Sequence, residues 1–169
     1  QKLYENQSGR KISLPYGGEA LRCYGGVKLQ KKTEEASERM EGAQVLNMEG
    51  DTIWENETFR TCIFPYSGEK ILEKKYTKWF DCDKINCELS VRTRRSGDYM
   101  TVNQSGGHKK LTRCMIDDKI PGEIRQEIPL VAAKDEILWI VGGRISERYK
   151  ITSQTEKVLE ITYQGGSIE

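Results

Sequence analysis

"CELSVRTRRSGD", residues 87–98, alternates apolar and polar side chains before it runs into a turn. Leu89 and Val91 fall on one side, Ser90 and Arg92 on the other, which is the period of a strand buried on one face. Gly97-Asp98 closes the stretch as a turn, where an aspartate commonly holds its own backbone. The same period returns in "KVLEITYQ" (157–164), with Leu159, Ile161 and Tyr163 against Val158, Glu160 and Thr162. Between them, "EILWIVGGRISERYKI" (136–151) reads as a buried strand, a Gly-Gly break and an exposed arm. Upstream, "GRKISLPYGGEALRCYGGVKL" (9–29) reads as two or three antiparallel strands, with Gly17-Gly18 as a two-residue hairpin signal. "TIWENETFRTCIFPYSGEKILEKKYTKWFDCDKI" (52–85) adds short β-like runs, punctuated by a turn at Pro65 and Gly68.

Helical signals are few. "KKLTRCMIDDKIP" (109–121) places Leu111, Met115 and Ile116 at helical spacing and stops at Pro121, which predicts one short helix. "GEIRQEIP" (122–129) supports at most another turn. "QKKTEEASERMEGAQVLNMEGD" (30–51) is polar and Glu-rich, a long loop or marginal helix, and residues 30–60 are expected to be an inserted or mobile segment. The fold class that follows is mainly β, bordering on α+β, in one domain over residues 1–169.

Composition narrows the function classes. The chain has 169 residues, 36% hydrophobic and 31% charged, enough to bury a real core. The first residue is Gln1 and the first methionine Met40, as expected of a piece of a longer protein or a processed form. No basic-then-apolar leader opens it, and the longest apolar run is Ile137–Val141, so a cytoplasmic protein away from membranes is expected. Cys23, Cys62, Cys82, Cys87 and Cys114 form no CxxC, and His108 is the only histidine. That pattern lacks the paired spacing of a zinc site and reads as reduced, mostly buried thiols. Net charge is +1, but residues 90–150 hold 12 Lys/Arg against 8 Asp/Glu. A local excess of this size suits a handful of phosphate contacts better than a coat over a whole duplex.

Residues 105–111, "SGGHKKL", resemble an ATP loop only in their first letters. A Walker loop needs GxxxxGK[ST] between a strand and a helix. An adenylating-enzyme loop reads SGGxDS, and here Lys109 and Lys110 stand where Asp and Ser are required. Asp117 and Asp118 are adjacent, so on a helix they diverge by about 100° and do not converge on a metal or proton. His108 lies near Cys114 in sequence with no third group to orient the pair. What remains is a basic set in turns and at a helix start, able to contact phosphates without reading bases and equally compatible with an ordinary solvated surface.

Residues 80–163 resemble the C-terminal domain of bacterial tRNA(Ile)-lysidine synthetase. The family pattern runs R-x-R-x-x-G-D, a Gly before K-K-L, K-I-P-x-x-x-R, P-L, then I-x-W-V-x-G-x-R. Arg92, Arg94, Gly97-Asp98, Gly107, Lys109-Lys110-Leu111, Lys119-Ile120-Pro121, Arg125, Pro129-Leu130, Trp139, Gly142 and Arg144 occupy those places in order. "ISLPYGGEALRCYGGVKL" is similar to the strands that precede this pattern in the family. Val102 departs from it, standing where the family often has proline.

The resemblance implies a layered β-sandwich of unusual topology with short helices, similar to a domain of the phenylalanyl-tRNA synthetase β subunit. It implies a tRNA-binding module without catalytic residues, cofactor or metal of its own, holding the acceptor-stem region through Arg92, Arg94, Lys109, Lys110, Lys119, Pro121, Arg125 and Arg144. The whole ligase would join lysine to the wobble cytidine of an isoleucine tRNA, using ATP and Mg in an N-terminal catalytic domain. The implied partners are that tRNA, that domain and a possible second copy. The competing reading is a structural domain that braces the catalytic domain or a dimer.

Overall fold

The computed structural model describes residues 11–14, 18–23, 26–31, 42–71 and 73–165, the first three segments as backbone only. The chain separates into two compact units, residues 1–41 and 42–169, a division that the expectation of one domain over 1–169 did not include. Among the described residues no helix is long and apolar enough to cross a membrane.

The first unit contains a three-stranded antiparallel sheet, β1 (Lys11–Leu14), β2 (Gly18–Cys23) and β3 (Gly26–Lys31), in the order β1-β2-β3. Leu14 pairs with Gly18, so Gly18 already belongs to β2 and the expected two-residue turn at Gly17-Gly18 is a three-residue connection. Residues 15–17 themselves lie outside the described residues, as do 32–41.

The second unit stacks two sheets. β4 (Gln44–Val45), β8 (Ser90–Arg92), β9 (Tyr99–Thr101), β10 (His108–Lys110), β11 (Leu130–Ala133) and β12 (Glu136–Ile140) form one, in the order β10-β9-β12-β11-β8-β4. β5 (Gly50–Trp54), β6 (Glu57–Pro65), β7 (Thr77–Asp81) and β13 (Lys157–Gln164) form the other, in the order β5-β6-β13-β7. Residues 44–51 supply β4 and the start of β5, which corrects the loop-or-helix reading of that end of 30–51, while 52–60, read as β-like, complete β5 and open β6. The physical reason is visible in the pattern eeBeB of β5: only Thr52 and Trp54 turn inward, too short an alternation to stand out in a polar stretch. Trp54 then anchors it, its indole donating to the Gly42 carbonyl at 2.6 Å.

Between the sheets lies one core, in which Phe59, Phe80, Leu159 and Ile161 meet Val91, Val131, Leu138 and Trp139. The far face of the six-stranded sheet carries a second core of Leu130, Ala132, Ile137 and Ile140, closed by helix α1 (Leu111–Asp117) through Leu111, Cys114 and Met115. β11 and β12 are thus covered on both faces, which is why they read as continuous apolar runs. A bulge beside Val131/Ala132 puts Leu138 and Trp139 on the same side, and Ile137 and Ile140 on the other. The helix was legible, with one change: Ile116 is 46% exposed, and Cys114 takes the buried position three residues after Leu111.

Two further readings change for the same reason. Arg92, expected to face solvent, is 2% exposed, because β8 lies under cover on both sides. The expected exposed arm after Gly142-Gly143 folds back: Ile145 bridges to Trp139, Ser146 is fully buried and Tyr149 is 4% exposed. Of the four cysteines whose side chains are described, only Cys114 is buried, against the expectation of mostly buried thiols; Cys62 is exposed and Cys82 and Cys87 are intermediate.

Candidate nucleic-acid interface

The candidate residues lie around α1 and the loops that flank it. At the end of β8, Arg92 aims inward and meets Asp98 from the following turn, Nη1 and Nη2 at 2.9 and 2.8 Å from the two carboxylate oxygens. The same guanidinium donates to the carbonyls of Thr93 at 3.0 Å and Lys134 at 2.7 Å. Asp98 also accepts the Arg95 N–H at 2.7 Å, the backbone-holding role its Gly-Asp turn suggested. Four donor contacts consume this arginine inside the fold, where it clamps the 93–98 loop and is not exposed at the surface as expected. Its neighbour Arg94 is half-buried at the surface. With the Gln126 amide oriented to accept, Arg94 Nε lies 3.2 Å from its oxygen.

The "SGG" letters close a β-hairpin. Gly106 takes φ +84°, Val102 N–H donates to the Gly107 carbonyl at 2.9 Å, and Asn103 Oδ1 accepts from Gly107 N–H at 2.8 Å. The left-handed residue is Gly106; a Cβ at Gly107 would come within 2.6 Å of the Asn103 amide and displace that side chain. β10 then presents Lys109 and Lys110. Lys109 is paired with Asp117 on α1 at 2.6 Å, and this pairing holds the Asp117 carboxyl below the usual carboxylate range. Lys110 is exposed and caps the helix without a side-chain bond. His108 packs edge-on against Tyr99 at 4.7 Å and lies 3.4 Å from Thr101 Oγ1. Cys114 is buried under α1, and burial pushes its thiol up. These contacts do not join the two.

A Schellman turn ends α1. Lys119 N–H donates to Ile116, Ile120 N–H donates to Met115, and Lys119 adopts φ +57°. A non-glycine residue in this conformation is unusual; here Ile120 packs onto the second core beside Met115 and pins it. Lys119 and Pro121 are exposed. Pro121 opens the next turn, whose N–H groups at Ile124 and Glu127 bond back to Pro121 and Ile124, so "GEIRQEIP" forms turns without a second α-helix. Within it Arg125 donates from Nε to the Ile120 carbonyl at 2.8 Å. Arg144, after the Gly-Gly break, forms a two-point ion pair with Asp118, one contact at 2.7 Å.

Seven of the eight sequence-derived positions therefore border α1 and its two flanking turns at the surface, and Arg92 does not. Residues that the motif order did not single out also meet there. Arg95, Ser96, Thr112 and Gln126 line a cleft of about 600 Å³ with Arg94 and Lys110.

The family model of the TilS substrate C-terminal domain matches residues 89–161. The tRNA(Ile)-lysidine synthase of Caldanaerobacter subterraneus subsp. tengcongensis is 39% identical over 163 residues, covering 95% of this chain and 34% of that protein. That of Clostridium tetani is 34% identical over 166 residues, covering 96% and 36%. A crystal structure of a TilS C-terminal domain superposes with a TM-score of 0.54 at 27% identity, covering 66% of this chain and 86% of that one. The chain spans about a third of the length of the curated relatives it matches. Through these matches the chain belongs to the family of the TilS substrate C-terminal domain.

Proposed function

We propose that this chain is the tRNA-recognising module of an ATP-dependent ligase that joins lysine to the wobble cytidine of an isoleucine tRNA, and that it grips the acceptor-stem end. Lysine attachment and the ATP and Mg chemistry belong to the remainder of the longer protein. This part contributes binding energy and register, in the cytoplasm, on a sandwich like that of the phenylalanyl-tRNA synthetase β subunit.

The observation that carries the reading is Arg125. Its Nε donates to the Ile120 carbonyl at 2.8 Å, and its two terminal nitrogens have no partner among the described residues. An arginine held by one edge in a proline-opened turn offers two terminal nitrogens at a fixed angle, the arrangement that matches phosphate oxygens. Duplex RNA hides its bases in a deep, narrow major groove, so contacts of this kind read shape, backbone and ends. Lys119 and Lys110 add point charges on either side of α1.

In the full-length ligase, Arg125→Ala is expected to weaken tRNA binding roughly ten- to hundredfold, the loss typical of charge-assisted hydrogen bonds. ATP turnover without tRNA should be unchanged. Unchanged tRNA affinity in a folded variant would overturn the assignment. Loss of thermal stability and ATP turnover without selective loss of tRNA would favour the bracing role instead.

A further inference from the structure

The hairpin of β9 and β10 sets its one imidazole above a buried carboxylate. Antiparallel register puts His108 opposite Thr101, on the face of the sheet that Met100 and α1 do not share. Thr101 is 4% exposed and has a single hydroxyl proton, which it gives to Glu136 Oε1 at 2.6 Å. Glu136 is also 4% exposed, and its other oxygen accepts from Arg148 at 3.1 Å and from Tyr149 at 3.3 Å. Towards His108, 3.4 Å away, the Thr101 oxygen can then only accept. The proton of the neutral ring therefore sits on Nδ1, and the lone pair is left on Nε2. Tyr99 packs edge-on against the ring at 4.7 Å and helps to hold it. Nε2 has no partner among the described residues, and His108 lines a cleft of about 700 Å³.

The rest of that cleft does not favour an anion. Its cations Lys84, Arg148 and Lys150 are each matched by a carboxylate, Asp81, Glu136 and Glu147. Gln104 and Thr152 add neutral polar groups to the lining. A bare ring nitrogen in such a setting selects a neutral donor. Along an RNA backbone the phosphate oxygens and the ribose ring oxygen only accept, and the 2′-hydroxyl is the group that donates. β10 is the edge strand of its sheet, and the exposed Lys110 lies on the same side of it as His108, roughly 7 Å further along. An edge that offers an acceptor and then a cation suits a ribose and a neighbouring phosphate.

We infer that His108 Nε2 accepts a hydrogen bond from one ribose 2′-hydroxyl of the bound tRNA, so that this edge tells RNA from DNA. Thr101 and Glu136 are positioning residues that set the tautomer. The inference rests on the tRNA-binding reading above and adds a sugar contact to it.

The test measures affinity of the full-length ligase for tRNA carrying a 2′-deoxy substitution at each acceptor-stem position in turn, with thermal melting as a folding check. One position should cost the parent ligase about three- to tenfold, the loss of one neutral hydrogen bond. His108→Ala should cost as much on all-ribose tRNA and lose nothing further on that deoxy tRNA. Thr101→Val should shrink the deoxy penalty and Thr101→Ser should preserve it, a pattern that a merely structural role would not produce. If the losses from His108→Ala and from the deoxy substitution multiply at every position, the imidazole and the hydroxyl do not meet and the inference is overturned. A parent ligase indifferent to every deoxy substitution overturns it as well. If His108→Ala binds normally while Arg125→Ala does not, the sugar contact is wrong and the module reading stands. If both bind normally, both fall.

Discussion

Two clefts on the second unit are lined by three cations each, and they differ in where the neighbouring carboxylates lie. The larger, about 700 Å³, is lined by Lys84, Arg148 and Lys150. Each is ion-paired: Lys84 with the buried Asp81 at 3.5 Å, Arg148 with the buried Glu136 at 3.1 Å, and Lys150 with Glu147 on the cleft lining. The smaller is lined by Arg94, Arg95 and Lys110, and its only carboxylate is neutralised by Arg92 from the buried side. Counting basic residues does not separate the two. Where the carboxylates point does, because a facing ion pair cancels the field that a phosphate would meet.

The largest expected effect comes from breaking the device that makes the difference. Arg92→Ala leaves Asp98 buried and unpaired, and should destabilise the fold by about 3–5 kcal/mol, read by thermal or denaturant unfolding. Arg92→Met combined with Asp98→Leu should recover much of that loss, since replacing both members of a buried pair with apolar groups is often close to neutral. A double variant as unstable as Arg92→Ala would show that the loop needs the hydrogen bonds themselves.

Next comes the contrast in binding. Lys84→Gln and Lys150→Gln should change tRNA affinity of the full-length ligase by less than about threefold, the scale of exposed ion pairs. Lys110→Gln, in the smaller cleft, should cost about tenfold. Equal losses in the two clefts would erase the distinction.

The pair behind Arg148 has its own pH signature. Tyr149, which donates to Glu136, is pushed up to about 12, chiefly by burial and then by that carboxylate. A phenol whose pKa is raised on folding stabilises the native state fully below its unfolded value, near 10. That contribution disappears as pH rises from about 10 to about 12. Melting temperature should therefore fall over that window, and Tyr149→Phe should flatten the fall. A variant with an unchanged profile would place the alkaline sensitivity elsewhere, for instance at Tyr163, which burial also raises.

The smallest effect concerns the helix end. Lys119→Gly relieves a left-handed residue at φ +57° and should raise stability by about 0.5–1 kcal/mol. It should at the same time weaken tRNA binding slightly. A gain in stability with no change in binding would make Lys119 a cap without a contact.

Much of this was legible because some residues obey one local rule. Leu159, Ile161 and Tyr163 alternate and are buried, Leu111 and Met115 follow helical spacing, and the Gly-rich 105–107 stretch turns a hairpin. Arg92, Ile116 and Ser146 broke local rules, since strands covered on both faces erase alternation and a polar side chain can be buried if its partner comes with it. The order of motifs pointed to a basic surface near α1. It did not reveal that Arg92 and Arg94, two residues apart, serve opposite sides of the fold.

The sequence by itself determined the strand and helix periods, the basic excess between residues 90 and 150, and the ordered motifs that carry the family likeness, because these depend on neighbours along the chain. Only the tertiary structure decided which cations remain available. That depends on which carboxylate each one meets, and Arg92 meets Asp98, Arg144 meets Asp118 and Arg148 meets Glu136 only once the loops have closed.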